Sequence, residues 1–474
     1  MNSISAASVL FVAGCIGLAG CKIADLPLPS ENKTVPASYS IAKDSTNSVS
    51  VNWHNYFTDP NLIALIDTAL QNNQELNIAL REIEMTRNEI MARKAEYRPF
   101  GDLAFGTGVE RSGRYTWNGV SEEDLKTRPD KYPAFVGDQA LSGVFSWELD
   151  VWKKLHNAKD AAIRRYLATI EGKNFVITQI VSEIANAYYE LLVLDNQLEI
   201  IKQNIDLQQN ALEMVRVQKQ AARVNELAVN RFEAQLISTQ NLRYEIQQMI
   251  VETENRINFL TGRYPVPVKR SVQDLRSIDL PPLASGIPAQ LLANRPDVRQ
   301  AEQQMEAAKL DVQVARANFY PRLTLRAGVG FQAFNPVYLL NPRSVAFNVL
   351  GDLTAPLINR NAIKATYYNA GARQVQLVYS YQQTLLNAYT EVMNQLSSRQ
   401  NYTQSFEVKA KQVDILNRSI DISESLFKSA RADYTEVLLT QREALEAKME
   451  LTEIKKKQLN ATINLYKALG GGWR

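Results

Sequence analysis

Few residues of this chain are placed to do chemistry, and the most telling is a cysteine near its start. Val9 to Cys21 form a short apolar segment that ends in Leu18-Ala19-Gly20-Cys21. Small residues before a cysteine fit the cleft of a lipoprotein signal peptidase, and the Cys21 thiol is then the group that receives diacylglycerol. A second match, Val12-Ala13-Gly14-Cys15, lies upstream, where cleavage would leave a very short leader. Cys21 is therefore the expected lipidation site; the alternative is a plain secretory leader with two incidental cysteines. Met1 to Leu10 carry no Lys or Arg, unlike the basic start of most leaders, which suggests that translation begins upstream. Position 22 is Lys, not the Asp that commonly retains lipoproteins at an inner membrane, so the outer membrane is the expected address.

Other chemistry finds little support. His54 and His156 are the only histidines, and no Cys follows Cys21. A His/Cys metal site, a Cys/His nucleophile pair and a disulfide in the mature chain are thus not expected, and neither is a cofactor. Asp150, at the end of a candidate strand, reads as a cap for the next helix rather than as a catalytic acid. The net charge of +3 over 474 residues steers nothing toward nucleic acid. No run of 18 or more apolar residues exists to cross a bilayer as a helix, so any crossing must be made by strands of a closed barrel.

The elements that would position such a crossing occur twice. Pro99 and Pro321 lie 222 residues apart, and their surroundings match. Leu70-Gln71-Asn72-Asn73 falls over Leu292-Ala293-Asn294-Arg295, Glu84 over Glu306, and Leu103, Gly106 and Gly108 over Leu325, Gly328 and Gly330. Each copy reads as helix, proline, glycine-bearing strand, second strand and very long helix, a pattern that points to an assembly rather than a catalyst. The expected divisions are a leader over 1–20, a Pro-, Ser- and Asn-rich lipidated tether over 21–58, a first repeat over 59–262, a linker over 263–285 and a second repeat over 286–474. Asp59-Pro60 reads as the cap and first residue of the first helix.

Strand pairs are expected at about 100–152 and 321–357. Leu103, Phe105, Thr107 and Val109 alternate with Ala104, Gly106, Gly108 and Glu110; Val144, Trp147 and Leu149 belong to a second strand ending near Trp152. Leu323, Leu325, Ala327, Val329 and Phe331 alternate with Thr324, Arg326, Gly328 and Gly330, and Val345, Phe347, Val349 and Leu350 lead into a fourth strand ending near Pro356. Strands of about ten residues are long enough to cross a bilayer at a tilt. Four of them leave open edges in lipid, so the chain would have to oligomerise. A small soluble sheet packed on helices is the alternative.

The helices favour the first reading. Ile163, Leu167, Ile170, Asn174, Ile177, Val181, Ile184, Tyr188, Leu191, Asp195, Leu198, Lys202, Ile205, Gln209 and Leu212 keep a four-three spacing, the mark of coiled-coil packing. A helix of about 65 residues is about 100 Å long, which suits a conduit across the periplasm. After Pro356 no proline follows, and the second half repeats the design. The two tips align at an offset of 210, with Arg223-Val224-Asn225-Glu226-Leu227 over Asp433-Tyr434-Thr435-Glu436-Val437, and Asn225 and Thr435 as the expected N-caps.

Several runs carry a family resemblance. Leu291-Leu292-Ala293-Asn294-Arg295-Pro296-Asp297-Val298-Arg299-Gln300-Ala301-Glu302 and Ala315-Arg316-Ala317-Asn318-Phe319-Tyr320-Pro321 resemble signature segments of the TolC/OprM family of outer-membrane efflux channels. Ala432-Asp433-Tyr434-Thr435-Glu436-Val437 resembles its second tip, and Glu148-Leu149-Asp150-Val151-Trp152 its strand-to-helix junction. The likeness runs from about Trp53 to the end. Two departures stand out: Lys153 and Arg360-Asn361 occupy places where the family usually has glycine, and the tip Ala221-Ala222-Arg223 lacks one too.

The resemblance implies a mainly α protein with a β-barrel part: a coiled-coil periplasmic tunnel and four transmembrane strands per protomer, twelve in a homotrimer. It implies the exit channel of a tripartite efflux pump for drugs, metals or other small toxic compounds, with no enzyme activity. The implied partners are a periplasmic adaptor protein, an inner-membrane pump of the resistance-nodulation-division type and outer-membrane lipids. It further implies a gate at the periplasmic tip, where Asp433 matches an acidic position facing the pore, Arg223, Arg431 and Tyr434 could tie neighbouring helices, and Glu226 and Glu436 sit beside the caps. Ordinary solvated tip residues touching the adaptor are the plainer reading. A type I secretion channel for proteins and a non-conducting coiled-coil spacer lipoprotein are the alternatives; the spacer has no need of strands, which occur here twice.

Overall fold

The computed structural model describes residues 26, 30, 32–39, 52–111, 136–271, 277–281, 283–284, 286–356, 358, 360–429 and 431–474; Cys21 and the leader lie outside them. A short helix α1 (Trp53–Tyr56) precedes α2 (Pro60–Asn72) and α3 (Gln74–Glu96), then strands β1 (Phe100–Glu110) and β2 (Val136–Leu149). The hairpin of α4 (Lys154–Gln220) and α5 (Glu226–Leu260) closes the first half. The second half has the short α6 (Leu291–Asn294), α7 (Pro296–Ala317), β3 (Arg322–Ala333), β4 (Val345–Thr354), α8 (Asn361–Lys428) and α9 (Tyr434–Ala468). The expected order is present in both copies. The contacts group Met85–Tyr166 with Gln303–Tyr379 in one unit, and Glu31–Glu84 with Leu167–Glu302 and Ser380–Arg474 in another.

The first unit holds a four-stranded antiparallel sheet in the order β1-β2-β3-β4. Its register puts Leu103, Gly143, Val329 and Phe347 in one row, and Gly101, Phe145, Ala327 and Val349 in the next. Paired residues share a face and the face alternates along each strand. One face therefore carries Leu103, Phe105, Leu141, Phe145, Trp147, Leu323, Leu325, Val329, Val345, Phe347, Val349 and Leu353. The other carries Ala104, Gly106, Ser142, Glu148, Thr324, Arg326, Gly328, Gly330, Asn348 and Asp352. The fourth strand starts earlier than expected: Val345 to Leu350 lie within it, and Leu350 is on the polar side, since it pairs with Arg326. In the second strand Val144 faces opposite to Trp147 and Leu149.

Strand ends are fixed to the helices that follow. Asp150 caps α4 as expected, accepting hydrogen bonds from Leu155 N at 3.0 Å and His156 N at 2.8 Å. Burial pushes its carboxyl up, but these donors and His156 outweigh that and hold it below the usual carboxylate range. Trp152 Nε1 donates to Pro321 O at 2.8 Å and its ring stacks on Tyr320 at 4.6 Å.

In the second unit, α2 buries Leu62, Leu65, Ile66 and Ala69, one face at helical spacing. Asp59 caps it through Asn61 N at 2.8 Å and accepts the Tyr188 hydroxyl at 2.6 Å. The α4 seam is buried at Val181, Ile184, Tyr188, Leu191, Ile205 and Leu212, and its polar break at Asp195 is met by Arg270 at 2.5 Å. Arg270 also pairs with Glu254, so the expected linker is fastened to both helices of the hairpin. The expected tether is likewise packed in part: Tyr39 is buried and stacks on Tyr389, and Lys33 pairs with Glu302 at 2.6 Å.

The duplication reappears in atomic detail. Asn73 Nδ2 donates to Leu260 O at 2.8 Å at the end of α5, and Arg295 Nη1 donates to Ala468 O at 2.7 Å at the end of α9. Gly262 (φ +68°) would place a Cβ 2.5 Å from Asn72 O; Gly470 (φ +94°) would place one 2.6 Å from Asn294 O. Both sites need glycine for its positive φ and its missing side chain.

Candidate functional site

The residues expected to form a gate lie on two helical turns. In the first, Ala222 N bonds Lys219 O and Arg223 N bonds Gln218 O, both at 2.9 Å. Asn225 caps α5, its Oδ1 accepting from Ala228 N at 3.1 Å. Glu226, the first residue of α5, pairs with Lys219 across the turn. In the second turn Arg431 N bonds Leu426 O at 2.8 Å, and the N-cap of α9 is Asp433, with Glu436 N bonding its carbonyl at 3.1 Å.

This corrects the expected cap at Thr435, which lies inside the helix. Asn225 and Asp433 are the equivalent caps, 208 residues apart, the same interval that separates Gly262 from Gly470. The alignment at 210 matched Glu226 to Glu436 by residue type. The backbone sets the cap where extended geometry gives way to the first helical turn, whatever acid follows. Buried Val229 and Val437 obey the interval of 208.

The two caps behave differently. Asn225 spends its side chain on the helix, whereas Asp433 makes no side-chain cap bond and is exposed. Arg223, Arg431, Glu226 and Glu436 are exposed as well. Tyr434 is instead half-buried against the apolar cluster of Leu212, Val215, Phe232 and Val437. Among the described residues no hydrogen bond or ion pair joins Asp433, Arg431 and Arg223 within the chain.

Ala222 holds φ +55° and Lys153 φ +56°, the only non-glycine residues with positive φ among those described. Both stand where a glycine is usual in the resembling family, so the backbone shape is kept and the side chain bears the strain. A left-handed L residue costs about 1–2 kcal/mol, and glycine returns about half of that through its freer unfolded chain. Ala222→Gly is therefore expected to stabilise the tip by about 0.5–1 kcal/mol, read as slower amide exchange at residues 218–228. Faster exchange there would count against strain at Ala222.

The polar face of the sheet is the other candidate surface. Gln332 Nε2 donates to Asp138 at 2.9 Å and Arg326 faces Asp352 at 3.5 Å. With Ser142, Glu148, Thr324 and Asn348 these give a wettable wall backed by an apolar one. Among the described residues no helix is long and apolar enough to cross a membrane, and no cluster suits a metal ion.

A sheet with one apolar and one polar face, joined to helices of 67 and 68 residues, defines a membrane-pore class of protein. The family model for outer membrane efflux proteins matches residues 65–263 and 287–471. The chain belongs to the outer membrane efflux protein family. Among similar proteins, the probable outer membrane lipoprotein SilC of Salmonella typhimurium is 27% identical, covering 100% of this chain and 99% of its own. The cation efflux system protein CusC of Escherichia coli is 27% identical over 97% of this chain and 98% of its own. The crystal structure of CusC superposes with a TM-score of 0.82 at 25% identity, over 94% of this chain and all of that one. The outer-membrane channel OprN gives 0.84 at 21% identity, over 96% of this chain and all of its own.

Proposed function

We propose that three copies of this chain form the outer-membrane exit duct of a tripartite efflux pump, with a gate at the α4–α5 and α8–α9 tips. The observation that carries this is the sheet. Its apolar face is exposed, and among the described residues β1 and β4 each pair on one side only. Such a sheet cannot sit in lipid until its edges close, and three copies supply twelve strands for closure. The helices need covering too. Ile237, Tyr244 and Val251 on α5, and Val408, Ile415 and Ile422 on α8, are exposed apolar residues at heptad spacing. They suit helix packing between protomers. Docking of the tips on a periplasmic adaptor and an inner-membrane pump of the resistance-nodulation-division type completes the reading.

In the trimer, Asp433 would stand as a ring of three carboxylates at the entrance, favouring cations and repelling anions. Its unspent cap leaves the carboxylate available for this. Arg223, Arg431, Glu226 and Glu436 surround the entrance as exposed charges, and Tyr434 anchors the start of α9. Single-channel recording in planar bilayers tests the reading: Asp433→Ala is expected to lose cation preference severalfold at equal or larger conductance. A stable monomer without conductance would sink the channel.

Relatives of equal identity are named for cation efflux and for pyoverdine export. We infer that cargo is chosen by the pump and the duct is permissive. Cys21 is proposed to carry the diacylglyceryl thioether that anchors the mature chain. The mass of the N-terminal peptide from purified protein decides this, since a peptide beginning elsewhere or bearing no lipid overturns it.

A further inference from the structure

Helices α4 and α9 pack antiparallel through polar rungs. Asn186 Nδ2 donates to Asn464 Oδ1 at 3.0 Å, and Gln197 Nε2 donates to Thr452 Oγ1 at 2.8 Å. Between them Lys456 Nζ lies 3.5 Å from Glu190. The first two rungs are eleven residues apart on α4. Eleven residues make about three helical turns, so the same face recurs at each step. One step further along α4 is Gln208, and eleven residues before Thr452 on α9 is Gln441. Leu212 and Val437, one turn nearer the tip, share a single apolar cluster, which agrees with this register.

Gln208 is 1% exposed and Gln441 0%. Yet both amide atoms of Gln208 and the carbonyl oxygen of Gln441 have no hydrogen-bond partner. The Gln441 nitrogen reaches Glu424 at a long 3.3 Å. Buried amides are normally paired, and an arrangement that leaves them unpaired is disfavoured against one that pairs them. This register sets the two glutamines opposite one another, so that a small slide or rotation of one helix would let them exchange N–H···O bonds.

We propose, resting on the channel reading above, that Gln208 and Gln441 are positioning residues for the gate. Their rung is open in the arrangement seen here and closes in a second one, in which α9 is displaced relative to α4. Asp433 begins α9 about two turns away, so displacement of this segment is carried directly to the entrance. The rung thereby biases the tip toward this second arrangement, the conducting one. The flanking rung at Gln197 and Thr452 is already bonded and supplies no such bias.

The full-length purified protein provides the test. Gln208→Met with Gln441→Met keeps side-chain length and removes the unpaired atoms. Amide exchange over residues 434–446 is expected to slow about tenfold, and channel openings in planar bilayers to become rarer by a similar factor. Gln197→Met with Thr452→Val, which removes a bonded rung, is expected to produce neither effect. Unchanged or faster exchange in the glutamine pair variant overturns the proposal, because the amides would then already be paired. Slower exchange with unaltered openings overturns the positioning role and leaves a packing defect alone. If the wild type stays a monomer that never conducts, the channel reading fails by itself, and the exchange comparison still decides whether the rung is open. Should the double variant not assemble, Gln208→Met alone gives the same readings.

Discussion

Val349→Arg is expected to prevent assembly in the outer membrane, while Asn348→Arg, one residue away, is tolerated. Val349 lies near the middle of β4, 72% exposed, beside Ala327 on the apolar face. Asn348 pairs with Gly328 on the opposite face, among polar and small residues. An arginine at the lipid midplane of a barrel costs roughly 2–4 kcal/mol, and a trimer incurs that cost in each copy. On the wet face the same side chain stays hydrated and alters only which ions pass. The amount of folded trimer in outer-membrane fractions distinguishes the two. Normal yield of Val349→Arg with loss of Asn348→Arg would reverse the assignment of faces, and equal yields would remove the sheet from lipid altogether.

That prediction draws on a feature legible in the sequence. Alternation of period two sorts Leu323, Leu325 and Val329 from Thr324, Arg326 and Gly328 without any structure, because a strand has no other way to present its residues. The caps at Asp59, Asp150 and Asn225 were legible for a similar reason, since each acts on its own next turn. The second tip was misplaced by two residues because acidic and apolar residues follow both the true and the apparent cap. Long-range ties left no local mark: Arg270 meets Asp195 from 75 positions away, and Tyr39 packs on Tyr389. Gln208 and Gln441 are a harder case. Glutamine is as good a helix former in water as in a seam, so only their burial distinguishes them. The strained turns were visible in part, as the missing glycines at Lys153 and Ala222; that the backbone kept its left-handed form was not.

Loss of Arg295 is expected to be the most damaging single change in the helical unit. Its guanidinium is 7% exposed and bonds Asp297 in a bidentate pair at 3.0 and 2.7 Å, Glu391 at 2.8 Å and Ala468 O at 2.7 Å. Burial works against the cation, and the bonds and charges of Asp297 and Glu391 outweigh it, so the group is held charged. Arg295→Met leaves two carboxylates and the last carbonyl of α9 without their common partner. Removing one member of a buried ionic cluster costs roughly 3–5 kcal/mol. The first repeat supplies the control. Asn73 does the same task neutrally, binding Leu260 O and capping Leu76 N at 3.0 Å. Asn73→Leu loses those bonds but strands no charge, for roughly 1–3 kcal/mol. Arg295→Lys should fall between, because an ammonium cannot make the paired contact with Asp297. Thermal unfolding of the three purified variants at one scan rate is expected to rank Arg295→Met lowest. If Asn73→Leu melted first, the ionic cluster would be a weaker fastening than the amide at the matching place of the first repeat, and the two ends of the repeat would owe their stability to packing against Gly262 and Gly470 instead.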